Sequence, residues 1–313
     1  MCRRLSNELH TPWFLLYWDA TWCSYRHGAS PENYFTLRFF SLPERQRRSF
    51  LTSGRSKKLD KELNRNAKPE ELRLLSLKQL SDRFFQNWVR RDFLYLPDCT
   101  DFQLSDFLQK HPVFISKPVS ASMGKGFRLL QAKQIGSVKE FADTGRRQRL
   151  LLEEPIAQCP ELSRLHPDSV NTVRINAARN RQGEVVLIGA CLKCGQNGHN
   201  TDNFHSGGIA WPLDPSTGRV CGPGRDNHSL RNYERHPDTG FMLVGFQVPY
   251  WYEILRCVND IMNQVPSIRY AGWDIALTLQ GPEVVEGNVR WPGGNIIQFD
   301  NIGKYPLLRK CIR

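Results

Sequence analysis

The chain has 313 residues, 40% hydrophobic and 24% charged, a balance that excludes a disordered polar chain and leaves room for two or three lobes with cores of their own. Nine cysteines, an odd number without framework spacing, exclude a disulfide-stapled scaffold and fit a reducing, cytoplasmic setting. The net charge of +12 implies polyanionic company: nucleotide phosphates, an acidic small molecule, nucleic acid or anionic lipid.

Residues 1–75 mix aromatics (Trp13, Trp18, Trp22, Phe39, Phe40) with basic clusters such as Arg45-Gln46-Arg47-Arg48, which read equally well as a solvated face. The later part is polar and helix-compatible, and the whole stretch is expected to form an N-terminal cap or lobe. The longest early apolar run is the six residues WFLLYW starting at Trp13, far short of the ~20 that cross a bilayer. Glu8 and Asp19 bracket it and no small-residue cleavage pattern follows, so neither a transmembrane segment nor a signal peptide is expected. Over 68–93, Leu77, Leu80, Phe84, Phe85 and Trp88 recur near helical spacing, which predicts a helical lead-in over 76–111 with Lys78 riding on it.

A lobe over 112–155 follows. VFISKPV alternates as a strand, with Ile115 and Lys117 on one face and Pro118 ending regular pairing. The loop Ser120-Ala121-Ser122-Met123-Gly124-Lys125-Gly126 has the glycines and hydroxyls that let backbone N–H groups close around phosphate oxygens. Walker spacing is absent, and a plain glycine turn looks the same. Ser137-Val138-Lys139-Glu140 reads as a capping box opening a short helix, after which the strand Leu150-Leu151-Leu152 runs into Glu153-Glu154-Pro155-Ile156.

In the last lobe, 156–313, the strand VNTVRINA puts Thr172, Arg174 and Asn176 on one face, polar where a buried strand should be apolar; such a face is a cavity wall. CLKCGQNGHNTDNFH invites a zinc-knuckle reading through Cys191, Cys194 and His199. The fourth position is Phe204, however, and tetrahedral zinc needs all four ligands, so inert thiols at a strand end are the alternative. Over 251–265 an apolar stripe through Ile254, Val258, Ile261 and Val265 marks a core helix. GWDIALTLQGPEVVEGNVRWPGG then reads as a hairpin turning at Gln280-Gly281-Pro282. With the turn centred on Gly281, Asp274 is expected opposite Asn288, with Glu286 as its diagonal neighbour. Two carboxylates and an amide suit a hard cation such as Mg²⁺, although scattered acids on a surface hairpin give the same pattern. Arg290 and the Trp291-Pro292-Gly293-Gly294 loop suit gripping a substrate.

Asp274 followed by Glu286-x-Asn288 resembles the last motif of ATP-grasp carboxylate-amine ligases. Together with Lys117-Pro118, the glycine loop, Glu153-Glu154, Arg174, Lys193 and Asp202-Asn203, residues 75–303 are similar to the sugar-transfer-associated branch, related to α-L-glutamate ligases. The resemblance implies an α+β ATP-grasp fold, two lobes clasping ATP beside a helical, aromatic cap. It implies nucleotide contacts from Lys78, Lys117, Ser120, Gly124, Lys125, Gly126, Glu153, Glu154, Ile156, Asp202 and Asn203. Asp274, Glu286 and Asn288 would ligate Mg²⁺ or Mn²⁺, and Arg174, Lys193 and Arg290 would be the catalytic cations. The implied reaction is ADP-forming amide synthesis from a carboxylate and an amine through an acyl phosphate. The surplus of cleft cations points to an acidic substrate: an amino acid, a phosphorylated metabolite or a saccharide-linked acid. A homo-oligomer or a pathway-enzyme partner is compatible with this reading; nucleic acid is not expected. D-Ala-D-Ala-ligase-like relatives carry an arginine two residues before the metal aspartate, where this chain has Gly272, so another cation must take that role. The rival readings are a zinc-knuckle-like nucleic-acid-binding protein and a non-catalytic ATP-grasp scaffold in surface-polysaccharide biosynthesis.

Overall fold

The computed structural model describes residues 1–119, 126–229, 231–290 and 292–312. Helix α1 (Cys2–Leu9) is followed by α2 (Trp13–His27), which Pro12 opens and Gly28 ends in the left-handed region. A reciprocal capping box between Ser30 and Asn33 starts α3 (Pro31–Thr36). Next come α4 (Glu44–Arg47) and α5 (Ser53–Leu63), the latter capped by Thr52. The single helix expected over 68–93 is two, α6 (Pro69–Ser76) and α7 (Lys78–Phe84), because Leu77 adopts an extended backbone (φ −119°, ψ 109°). Lys78 thereby opens a helix instead of riding in the middle of one.

The first sheet is laid down by β1 (Phe93–Tyr95), α8 (Asp101–Lys110), β2 (Val113–Pro118), β3 (Arg128–Gln131), α9 (Val138–Gln148) and β4 (Leu150–Glu153). Its strands are antiparallel in the order β1-β4-β2-β3. Alternation buries Phe114, Leu150 and Leu152 against Leu104 and Phe107 of α8 and Ala142 of α9. Lys117 and Glu153 are left on the opposite face, toward the second sheet.

After the turn α10 (Pro160–Ser163), that sheet is built by β5 (Thr172–Arg179), β6 (Val185–Cys194) and β7 (Ile209–Leu213). Helix α11 (Trp251–Gln264) leads into β8 (Tyr270–Thr278) and β9 (Gly281–Asn288), and α12 (Tyr305–Lys310) follows. The strands are antiparallel in the order β7-β6-β5-β8-β9. Val173, Ile175, Leu192, Trp273 and Ile275 point to one face and pack on the apolar stripe of α11. Ala178, Ile188 and Tyr270 on the other face are covered by Tyr34, Phe50 and Leu59 of the N-terminal helices and by Ile297 and Phe299. The rest of that face is polar.

The β8–β9 register differs from the expected one. The turn falls on Leu279 and Gln280, and a bulge leaves Val285 extra on β9, so Asp274 lies directly opposite Glu286 while Asn288 pairs with Gly272. All three still share the polar face.

Candidate active site

The polar face is organised by strand register. Asp274 on β8 pairs with Glu286 on one side and with Arg174 of β5 on the other, and Thr172 of β5 pairs with Lys193 of β6. Paired residues point the same way, so four strands deliver their polar side chains to one place. Arg174 grips Asp274 bidentately, Nε to Oδ1 at 2.6 Å and a terminal nitrogen to Oδ2 at 2.7 Å, and Lys193 Nζ lies 3.1 Å from Oδ1. Asp202 is tied to this group through Thr172, whose N–H and hydroxyl both donate to it, and lies 3.5 Å from Lys193.

Burial works to raise the Asp274 carboxyl, but Arg174 and then Lys193 override it and hold it well below the usual carboxylate range. Burial also works against the charge on Lys193, but Asp202 and Asp274 outweigh it and raise the ammonium above its ordinary value. For Asp202 burial wins over Lys193, and the carboxyl is pushed up.

Gly272 is explained by the chain that crosses it. A Cβ at this position would stand 2.3 Å from the Pro292 carbonyl oxygen, so no side chain fits, and Arg174 donates to that same oxygen at 3.0 Å. Arg174 and Gly272 thus meet the same carbonyl oxygen. Gly293, in the left-handed region at φ 77°, gives Arg174 the remaining room.

The first sheet contributes Lys117, which is paired with Glu153. Glu153 also accepts from Arg91 Nε at 3.2 Å. Arg91 is buried and reaches further, to Glu283 of β9 at 2.6 Å and to Asp82 of α7 at 2.8 Å, so one guanidinium joins both sheets and a helix. Lys78, half-buried at the start of α7, is lowered by burial and then by Lys117, while Glu286 and Glu153 pull it back up. Lys78 therefore stands within electrostatic reach of Lys117 and of Glu286.

Other expected residues lie elsewhere. Glu154 alternates away from Glu153: its carboxylate accepts from the Asp92 N–H at 3.1 Å, and with Asp92 and His111 it forms a cluster whose ligand atoms lie within 4.8 Å. Glu153 does face the other sheet, but its oxygens are occupied by Lys117 and Arg91. Ile156 is half-buried beyond β4. Asn203 Oδ1 accepts from His205 N–H at 3.0 Å and caps a short turn. Arg290 is exposed in the left-handed region, its backbone N–H directed to Asp60. Gly126, at φ 76°, packs its backbone on the Pro118 ring. Ser120, Gly124, Lys125 and Trp291 lie outside the described residues.

Zinc does not fit CLKCG. Cys191 and Cys194 are three apart on β6, hence on opposite faces and in different packed clusters. Burial pushes the Cys191 thiol up to about 12, the opposite of what a metal thiolate needs. The oxygen ligands fit a hard divalent cation better. A carboxylate offers about four lone-pair sites; Arg174 and Lys193 use three on Asp274, leaving one on Oδ2. Asn288 Nδ2 donates to Glu286 Oε1 at 3.1 Å, and among the hydrogen bonds of the described residues Asn288 Oδ1 and Glu286 Oε2 are not engaged. The set is all oxygen, with Glu286 and Asn288 leading and Asp274 adding one atom.

Arg91, Asp82 and Glu283 escaped the sequence reading. Arg90-Arg91-Asp92 looks like surface charge, and its three partners are scattered over two hundred residues without a local pattern.

A family model described as sugar-transfer associated ATP-grasp matches residues 101–304. Among solved structures, the fold resembles biotin carboxylase from Campylobacter jejuni (TM-score 0.53, 10% identity, 79% of this chain and 48% of that one). It also resembles N5-carboxyaminoimidazole synthetase from Staphylococcus aureus complexed with ADP (TM-score 0.51, 10% identity, 79% and 54%). The ATP-grasp ligase PsnB, complexed with its minimal precursor, matches with TM-score 0.46 and 14% identity over 79% and 63%. The chain spans about half to two-thirds of the length of these structures. No curated protein matches it.

Proposed function

Because the chain belongs to the sugar-transfer associated ATP-grasp family and has the α+β ATP-grasp fold, we propose that it is an ATP-dependent, ADP-forming carboxylate-amine ligase. The observation that carries this reading is the oxygen set of Glu286, Asn288 and Asp274 on one polar face, backed by the buried pair Arg174 and Lys193, with Lys78 in electrostatic reach of Glu286 and of Lys117. A lysine on the first sheet and another at the start of α7, with acids on the second sheet, are what a polyphosphate clamp requires.

A substrate carboxylate attacks the γ-phosphorus, the bond to the β-phosphate oxygen breaks, and ADP leaves. The acyl phosphate is attacked by an amine, the tetrahedral intermediate expels phosphate, and the nitrogen gives up its proton. Lys117 and Lys78 bear on the phosphates. Arg174 and Lys193 are fixed cations aimed where charge builds on the transferring phosphoryl group and then on the intermediate. Their aim is preset because Asp274 and Asp202 hold them before substrate arrives. A hard divalent cation bound by Glu286, Asn288 and the remaining Asp274 oxygen would offset phosphate charge.

Lys117, Arg174 and Lys193 already hold Glu153, Asp274 and Asp202, so the support for an acidic acyl donor or acceptor is the net charge of +12 over the whole chain. The test is ADP release over a panel of carboxylates crossed with amines, with mass spectrometry of the products. An amide product accompanied by ADP, with acidic partners preferred, is expected. Turnover only with neutral carboxylates and neutral amines would overturn the acidic-substrate reading, and ATP hydrolysis without any condensed product would overturn the ligase.

A further inference from the structure

Helix α2 is apolar on two sides, and the fold covers only one. Leu16, Cys23 and His27 face inward, and the helix is pinned there by Asp19, which accepts from Tyr34 Oη at 2.8 Å and from two Arg47 nitrogens at 2.6 and 2.9 Å. The opposite face is Phe14, Leu15, Trp18, Trp22 and Tyr25, an arc of about 100°. These residues are 48%, 50%, 66%, 54% and 86% exposed. A helix that is hydrophobic all round is a buried helix. The pinning means that the exposure does not come from a loose helix.

Arginines bracket the stripe. At its start Arg3 lies over the Trp13 ring, 5.7 Å from the centroid. At its end Arg26, Arg47 and Arg48 share with Trp22, Tyr25, Asp19 and Glu44 the rim of an open pocket of about 670 Å³; Asp19 is taken by Arg47, and Arg48 Nε donates to Glu44 at 3.0 Å while its terminal nitrogens make no hydrogen bond among the described residues. Arg45 is exposed nearby, and no ion pair of Arg26 or Arg45 is formed among the described residues. This arrangement argues against a second copy of the chain as the occupant. A two-fold pair that buried the whole stripe would have to align the helices side by side, parallel or antiparallel, and either way arginine-bearing ends meet arginine-bearing ends. It suits a surface that is apolar inside and negative outside. Trp and Tyr carry an apolar body and a polar tip that settle at headgroup depth, and arginine reaches phosphate while its stem stays in apolar surroundings. The fifteen residues of α2 span about 22 Å, too short to cross a bilayer of about 30 Å but suited to lying in its surface.

The geometry points to the α2 face as a docking surface for an anionic phospholipid bilayer, with the helix lying in the headgroup plane and Arg3, Arg26 and Arg48 on lipid phosphates. The full chain is sedimented with vesicles of phosphatidylcholine alone and of phosphatidylcholine with phosphatidylglycerol. The wild type binds the anionic vesicles, and binding falls as salt rises. Trp18→Ser/Trp22→Ser/Tyr25→Ser abolishes binding with an unchanged melting temperature. Arg3→Gln/Arg26→Gln/Arg48→Gln weakens it by about fivefold per arginine. Sedimentation velocity of the same proteins without lipid gives the control for self-association. Failure to bind anionic vesicles, equal binding by the aromatic variant, or equal binding to neutral vesicles overturns the proposal. So does a dimer of the wild type that the aromatic variant loses, in the absence of vesicle binding.

Discussion

Asp274 and Glu286 face each other across one strand pair, yet burial gives them different work. Asp274 is 4% exposed and balances two buried cations. Asp274→Asn should cost about 3–5 kcal/mol, because it leaves Arg174 and Lys193 undercompensated in a low dielectric. Glu286 is half-buried and accepts from the Asn288 amide, so Glu286→Gln should stay within about 1 kcal/mol of the wild type in stability while abolishing ADP formation. Thermal melting and ADP release on the two variants separate the roles, and normal turnover in E286Q would refute the metal assignment. Gly272→Ala follows the same logic from the backbone side. Its methyl group must displace the Pro292 carbonyl and with it a hydrogen bond of Arg174, at a cost of about 1–3 kcal/mol and a clear loss of kcat. Unchanged kcat would show that Arg174 does not depend on that support. Arg174 was legible because a strand has period two and its neighbours Thr172 and Asn176 are polar in a segment otherwise apolar. That Arg174 is supported by the loop crossing Gly272 was not legible, since only the folded chain brings Pro292 over that glycine.

Strands and helices with one clear period were readable; those with two apolar faces or long-range charge partners were not. α9 and α11 stand where a cap and a stripe predicted them. α2 gave no helical period because residues on both its sides are apolar. The hairpin was found, but its register was missed by two positions, since Gln280-Gly281-Pro282 looks like a turn while Gly281 and Pro282 already pair in β9. The hub joining α7, β4 and β9 could not be read at all. There Arg91 and Lys117 supply two positive charges to Asp82, Glu153 and Glu283. Burial, only partly offset by Arg91, pushes Asp82 up to about 7. An unfolded Asp titrates near ~3.9, so between these values the folded chain holds a proton that the unfolded chain has lost. The stability from this group is full below about pH 4 and is lost as pH rises through about 7. Asp274 works in the opposite sense, its contribution being present above the unfolded value and lost as acid protonates it. Urea midpoints of Asp82→Asn and the wild type across this range should differ in slope, the variant declining less toward neutral pH. Parallel curves would mean that Asp82 is ionised throughout.

At the scale of the molecule, the order of motifs announced two lobes, but nothing local announced that the N-terminal helices close the core of the distant sheet. Their docking is mediated by one fully buried amide. Gln298 Oε1 accepts from the N–H of Leu51 and of Lys304 at 2.8 Å each, and Nε2 donates to the carbonyls of Leu51 at 3.0 Å and Gly294 at 2.6 Å. Leu51 and Gln298 are 247 residues apart in sequence, so the contact closes a loop that contains both sheets and whose entropy must be met by burial around it. Asn64 adds a second tie, accepting from the N–H groups of Arg269 and Tyr270 at 2.8 and 3.1 Å. With Tyr270 itself buried under the helices, the cap and the five-stranded sheet should open as one cooperative unit. Gln298→Met keeps the volume but leaves four backbone groups without their partner, a loss of about 3–5 kcal/mol after relaxation, or roughly 10 °C in melting temperature for a domain of this size. Hydrogen exchange followed along the chain tests the cooperativity. In the variant, amides of α5 and of β8 should lose protection in parallel, because neither can open without exposing the other. Loss confined to α5, with β8 protected as in the wild type, would make the cap a separable lid whose opening the sheet survives.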